Sequence, residues 1–179
     1  MAKKSITTRV GDQGKTRLFS GEEVWKHSPR TDAYGDLDEI VSVLGVAFSH
    51  AERDETRRSV REVQHTLFTV GTELATGESF VGRLAERIDE AAVRAIERDM
   101  DGLEERIDMP KGFVLPGGTP AAAHLDHART VTRRCERKVV ALFEERLISN
   151  PNLLIWLNRL SDYLWLLARF EEGDRTVMK

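Results

Sequence analysis

Thr119-Pro120-Ala121-Ala122-Ala123-His124-Leu125-Asp126-His127-Ala128-Arg129-Thr130-Val131-Thr132-Arg133-Arg134-Cys135-Glu136-Arg137 opens a run that continues without glycine or a second proline to Ile148. Thr119 suits an N-cap, and Pro120 suits the first helical position, where its missing N–H costs nothing. At 100° per residue, Leu125, Ala128, Cys135, Val139 and Phe143 gather on one side of the predicted helix. Arg129, Arg133, Glu136 and Arg137 gather on an adjacent side, and Arg134 points away from both. The spacing therefore predicts one long helix over 120–148 with an apolar stripe beside a cationic one. A solvated face laced with i,i+3 and i,i+4 pairs, each worth about 0.3 kcal/mol, would explain part of that pattern. Three arginines on one stripe exceed what solubility requires.

Working outward, the same periodicity predicts four more helices and no strand pattern. Residues 34–51 carry Ile40, Val41, Leu44, Ala47 and Phe48. Residues 56–75 repeat Val60, Val63, Leu67, Val70 and Leu74 at alternating steps of three and four, a heptad-like seam. Residues 83–103 carry Ile88, Ala91, Ala92, Ala95, Ile96 and Met100. Residues 151–170, capped by Asn150, present Leu153, Leu157, Leu160, Leu164 and Leu167 on one face. Away from that face, Asn158, Asp162, Trp165 and Arg169 fall within about 60° of one another. This last helix therefore has two neighbours, or a neighbour and a ligand. The fold class is all-α: a five-helix, up-down bundle in a single domain over 1–179. An N-terminal loop occupies 1–32, the bundle 33–170 and a tail 171–179. The connector over residues 109–119 holds two prolines and buried-type residues, so it is expected to pack against something.

Near the N-terminus stands Thr8-Arg9-Val10-Gly11-Asp12-Gln13-Gly14-Lys15-Thr16. Glycines three apart permit positive φ and close backbone approach, so N–H groups can converge on an anion. Arg9 and Lys15 add charge, and Thr8 and Thr16 add hydroxyl donors, which suits a polyphosphate. An ordinary Gly-Asp turn before the first helix is the plain alternative. The spacing does not match a P-loop, which needs four residues between its glycines and then Lys-Ser/Thr.

A net charge of −3 argues against nucleic acid as partner. The lone Cys135 forms no intrachain disulfide and fits a reducing compartment. Its place on the apolar side makes it a packed thiol. No secretory signal is expected and no apolar run reaches the eighteen residues of a membrane span, so the location expected is cytoplasmic. Two histidine pairings invite a metal reading, His124 with His127 and Glu62 with His65. A di-iron site needs two Glu-x-x-His pairs and further carboxylates facing inward. Only one such pair exists, and His65 lies opposite its helix's seam. No protein-only metal site is expected. A Mg²⁺ held by phosphate oxygens follows if the ligand is a nucleotide.

Five segments taken in order resemble one family. They are Thr8 to Thr16 as quoted, and Pro29-Arg30 with Ala33-Tyr34-Gly35-Asp36-Leu37-Asp38-Glu39. Phe113-Val114-Leu115-Pro116-Gly117-Gly118 and Ala128-Arg129-Thr130-Val131-Thr132-Arg133-Arg134-Cys135-Glu136-Arg137 follow, and then Leu157-Asn158-Arg159-Leu160-Ser161-Asp162-Tyr163. Together they resemble the PduO-type ATP:cob(I)alamin adenosyltransferases over residues 6–170. The resemblance implies a homotrimer of five-helix bundles with active sites between subunits. It implies an enzyme that moves the 5′-deoxyadenosyl group of ATP onto the cobalt of cob(I)alamin and releases triphosphate, with Mg²⁺ as cofactor. It also implies partners, a flavoprotein reductase and a cobalamin-dependent acceptor enzyme.

Carried over by position, the ATP site falls on Thr8, Arg9, Val10, Gly11, Asp12, Gly14, Thr16, Arg17 and Lys26. It also takes in Arg133, Arg134, Glu136, Arg137 and Asn158. Asp38 matches the acid that pairs across the subunit boundary with the arginine at Arg129. Phe113 matches the aromatic residue that occupies the lower face of the corrin and displaces its axial ligand. Arg9 stands where the family usually has lysine, Val10 where it has threonine, and Cys135 where it has alanine. Two other classes compete with an enzyme: a carrier that binds ATP or cobalamin without chemistry, and a structural trimer. Triphosphate release separates enzyme from carrier, and ATP binding separates both from a scaffold.

Overall fold

In the computed structural model, which describes Thr7, Arg9 and residues 11–178 apart from the side chain of Val177, all five expected helices form. α1 spans Pro29–His50, α2 Asp54–Leu74, α3 Glu90–Glu104, α4 Pro120–Glu144 and α5 Pro151–Glu172. Ser28, Asp89, Thr119 and Asn150 each accept a first-turn backbone N–H and so cap α1, α3, α4 and α5. α2 lacks a side-chain cap, but Asp54 and Glu55 sit in its first turn, where the helix dipole favours negative charge.

Three boundaries depart from the sequence reading, each for a local reason. α1 starts at Pro29 rather than Tyr34 because Ser28 caps it, so the bundle takes in the end of the segment assigned to the N-terminal loop. α3 starts at Glu90 rather than near residue 83. A 3-10 turn at Val81–Arg83 precedes it, and the Ile88 backbone is held by Glu73 and Asn150 instead of by a helix. α4 stops at Glu144, short of Ile148. Arg146 adopts φ 58°, its N–H reaches the Phe143 carbonyl at 3.0 Å, and the Leu147 N–H reaches the Leu142 carbonyl at 2.8 Å. That is a Schellman stop with arginine where glycine usually signals it.

α4 packs along both α1 and α5, while α2 lies against α1 and α3 against α5. The five leucines of the α5 face and the whole α2 seam are buried, as are Leu125, Ala128, Cys135 and Val139 of α4. Burying one leucine is worth about 1.5–3 kcal/mol against about 0–1 for an exposed ion pair, so apolar faces set the helix order. Cys135 packs with Sγ 3.5 Å from the Ala33 carbonyl oxygen, and burial pushes its thiol up to about 12. It is a core residue, not a nucleophile.

The fold also holds strands that the sequence reading lacked. β1 (Lys15–Arg17) pairs antiparallel with β2 (Glu23–Trp25), and β3 (Val114–Leu115) with β4 (Val177–Met178). Strands of two or three residues are too short to show a period of two. The second pair gives the 109–119 connector its partner, yet Phe113 is 84% exposed and its ring is not buried in the bundle. Among the described residues, no helix is long and apolar enough to cross a membrane.

Candidate functional site

Thr8 and Val10 lie outside the described residues, but most of the loop around them is placed. Arg9 sits in the left-handed region (φ 59°), as does Gly14 (φ 78°), and the Gly14 N–H returns to the Gly11 carbonyl at 3.2 Å. The Lys26 N–H donates to the Gly14 carbonyl at 2.9 Å. The Lys26 ammonium lies over Gly11, 2.8 Å from where a Cβ would stand, so glycine is what lets that amine approach the backbone. Gly11, Gly14 and Lys26 are thus brought together, beside exposed Arg9, Asp12 and Arg17 and half-buried Thr16. Lys15 pairs with Glu23 at 2.8 Å across the hairpin and lies 5.3 Å from the Trp25 ring centre.

On α4 the stripe divides. Arg133 and Arg137 are exposed and make no ion pair among the described residues; Arg137 only donates to the Arg133 carbonyl at 2.9 Å. Glu136 and Asn158 meet at 2.9 Å and tie α4 to α5, and Arg159 fills the remaining Asn158 oxygen at 3.2 Å. Asn158 therefore orients Glu136 within the chain. Arg134 points to α1, with Nε 3.2 Å from Asp36 Oδ1 and a second hydrogen bond to Glu39. The hydrogen bond to Asp36 holds its proton more tightly than usual. Arg134 is a helix–helix tie rather than a free cation. No hydrogen bond or ion pair joins the loop over 9–26 to Arg133 or Arg137 among the described residues.

Asp38 and Arg129 are likewise not paired within the chain. Asp38 is exposed and lines an apolar groove of about 290 Å³ with Phe19, Tyr34, Leu37, Val41 and Phe68. Phe19 and Phe68 on this groove are 70% and 66% exposed. Arg129 donates from Nε to Asp126 Oδ1 at 3.1 Å. Of the histidines, His124 stacks on His50 with ring centres 6.1 Å apart, and His65 is exposed. Among the described residues no cluster of three or more His, Cys, Asp or Glu side chains is gathered for a metal ion.

A family model described as cobalamin adenosyltransferase matches residues 6–171 of this chain. The chain belongs to that family. It is 40% identical over 172 residues to a corrinoid adenosyltransferase of Citrobacter freundii, covering 96% of this chain and 97% of that one. A corrinoid adenosyltransferase PduO of the same organism is 37% identical over 95% of this chain, and the chain spans 50% of that protein's length. The fold superposes with TM-score 0.84 and 35% identity on a phenylalanine-to-alanine variant of the PduO-type ATP:corrinoid adenosyltransferase from Lactobacillus reuteri. That protein was complexed with cobalamin and ATP, and the match covers 94% of this chain and 93% of that one.

Sequence reasoning passed over two polar clusters in this family member. Lys138 lies 2.9 Å from Asp32 and 3.0 Å from Asp36, so the ties between α1 and α4 are charged as well as apolar. Asp126, Arg169 and Glu172 form a buried ion cluster. The sequence reading puts Arg169 on the polar face of the last helix and residue 172 in the tail, and the structure extends that helix to Glu172.

Proposed function

We propose that this chain transfers the 5′-deoxyadenosyl group of ATP to the cobalt of a reduced corrinoid, at sites formed between the subunits of a homotrimer. The observation that carries this reading is that Arg133 and Arg137 on α4 are exposed and, among the described residues, make no ion pair and no hydrogen bond to the glycine loop that would hold the same triphosphate. A second copy is what would bring the two halves together. The apolar groove with Asp38 on it supplies a surface for that copy, and exposed Phe113 supplies an aromatic face for the corrin.

The chemistry asks the protein for positioning and charge rather than proton transfer. The cobalt(I) lone pair forms a Co–C bond to C5′, the C5′–O bond breaks, and the triphosphate leaves with that electron pair. Negative charge develops on the departing phosphate oxygen, where Arg133, Arg137 and Lys26 stabilise the transition state more than the ground state. Gly11 and Gly14 let backbone N–H groups approach the phosphates. Mg²⁺ fits the phosphate oxygens better than this chain's own side chains, which gather no carboxylate cage among the described residues. Anaerobic incubation with chemically reduced cobalamin and ATP should consume the cob(I)alamin absorbance and release one triphosphate for each adenosylcobalamin formed. Binding of both ligands without triphosphate would make the chain a carrier.

Asp38 and Arg129 belong to this reading as a pair across the subunit boundary. A charge swap is a poor test, because reversing Arg129 would set a carboxylate against Asp126. In a neutral cycle of Asp38→Asn and Arg129→Gln, the double variant should lose less trimer stability than the two single losses summed, with a coupling of about 1–2 kcal/mol. Sedimentation equilibrium of the four proteins measures it, and strictly additive losses reject the pairing.

A further inference from the structure

Asp126, Arg169 and Glu172 are 3%, 3% and 1% exposed, yet all three are ionisable side chains. Arg169 donates from Nη2 to Asp126 Oδ2 at 2.6 Å, and its Nε lies 2.9 Å from Glu172 Oε2. The other Asp126 oxygen accepts from Arg129 at 3.1 Å. Glu172 Oε1 accepts the Gly118 N–H at 2.9 Å, and Oε2 accepts the Thr176 hydroxyl at 3.2 Å. Two cations and two carboxylates thus alternate in one chain, Arg129–Asp126–Arg169–Glu172. Its far end grips the connector at Gly118 and the tail at Thr176.

Stability alone does not account for this arrangement. Well-packed apolar residues usually match or exceed a buried ion pair, whereas losing one member leaves an uncompensated buried charge. What such a chain can do is fix geometry: Asp126 and Glu172 are each held by hydrogen bonds, and Arg169 is held by a hydrogen bond to Asp126 and by the charge of Glu172, which its Nε faces without a hydrogen bond. What it fixes is narrow. Gly118 approaches so closely that a Cβ there would meet the Arg175 carbonyl oxygen and come within 2.9 Å of the Glu172 carboxylate. Thr176 precedes β4, and β4 pairs with β3, which begins at the residue after Phe113. Phe113 itself is 84% exposed, so burial does little to hold its ring.

We propose that Glu172 and Arg169 are positioning residues for Phe113: the buried ion chain clamps the connector to the tail whose strand pairs with it, and so sets where the exposed ring stands. The proposal rests on the reading of Phe113 as the group facing the lower side of the corrin. Asp126, shared with Arg129, ties the same clamp to the proposed subunit boundary.

Two variants test it. Glu172→Gln keeps size and an oxygen for the Gly118 N–H but leaves Arg169 with one carboxylate. Gly118→Ala leaves all four charges and forces the connector off the tail. In either, amide hydrogen exchange over residues 113–118 should quicken by about tenfold as the clamp opens. The four-coordinate cob(II)alamin signal in the paramagnetic resonance spectrum with ATP should fall to less than half. ATP affinity should stay within about twofold, a split that a general loss of folding would not produce. If Glu172→Gln does not fold, Gly118→Ala carries the same expectation. Unchanged exchange in the connector overturns the proposal. So does faster exchange with a four-coordinate signal at the wild-type level, provided Phe113→Ala loses that signal. If Phe113→Ala keeps the signal, the reading of Phe113 falls and the proposal with it, and the exchange data show separately whether Glu172 holds the connector.

Discussion

Arg133→Ala is expected to lower kcat by about 10²–10³-fold with triphosphate as leaving group, the cost usually seen on removing one preorganised donor from a developing anion. Folding should be untouched. Arg133 is exposed and makes no ion pair among the described residues, and substitutions of that kind change stability by less than about 0.5 kcal/mol. The loss should fall on kcat and kcat/KM together, because the guanidinium meets most charge only as the C5′–O bond breaks. Arg134→Ala makes the contrast. Arg134 is bound to Asp36 and Glu39 on α1, so its removal should act on the helix pair. Steady-state rates with cob(I)alamin beside thermal melts of both variants check the point. Near wild-type turnover in Arg133→Ala removes the arginine stripe from the ATP site.

How far the sequence could be read depended on the range of the interaction. The leucine face of α5 and the seam of α2 were legible because burial repeats with the helix period, and the residues named on them are buried. The end of α4 was not, because Arg146 takes the left-handed turn that glycine would have announced. The start of α3 was hidden for another reason: Glu73 and Asn150, far away in sequence, bond the Ile88 backbone and take it out of the helix. The same limit governs the site. Close approach at Gly11 and Gly14 follows from residue type, and the structure places Lys26 over Gly11. Which cations stay free is a tertiary matter. Lys15 pairs with Glu23, Arg134 with Asp36, and Arg169 with Asp126 and Glu172, while Arg133 and Arg137 make no ion pair among the described residues. Periodicity put Arg133, Arg137 and Arg169 on polar faces and Arg134 away from both stripes, Lys15 stood in the glycine loop, and none of these readings could tell the fates apart. Phe113 shows the reverse: its type suggested burial, and only the fold reveals an exposed ring on a clamped connector.

Phe113→Ala should separate the two halves of the proposed reaction. An exposed ring contributes little to folding, so melting should stay near wild type, and ATP binding should change little because Phe113 is on the connector and not on the glycine loop or the α4 stripe. With cob(I)alamin supplied already reduced, the lower ligand is absent and the variant should lose only the ring's packing against the corrin. Starting from cob(II)alamin and a mild protein reductant, it should fail. The ligand that the ring keeps away raises the orbital that the incoming electron must enter, so its return makes reduction harder. For a one-electron couple, about 59 mV of potential is tenfold in equilibrium, and a shift of roughly twice that would cost about a hundredfold in the cob(I)alamin formed. The paramagnetic resonance spectrum of bound cob(II)alamin with ATP reports the four-coordinate species directly. A four-coordinate signal of wild-type size in Phe113→Ala would mean that some other group keeps the lower face empty, and that Phe113 only rests against the corrin.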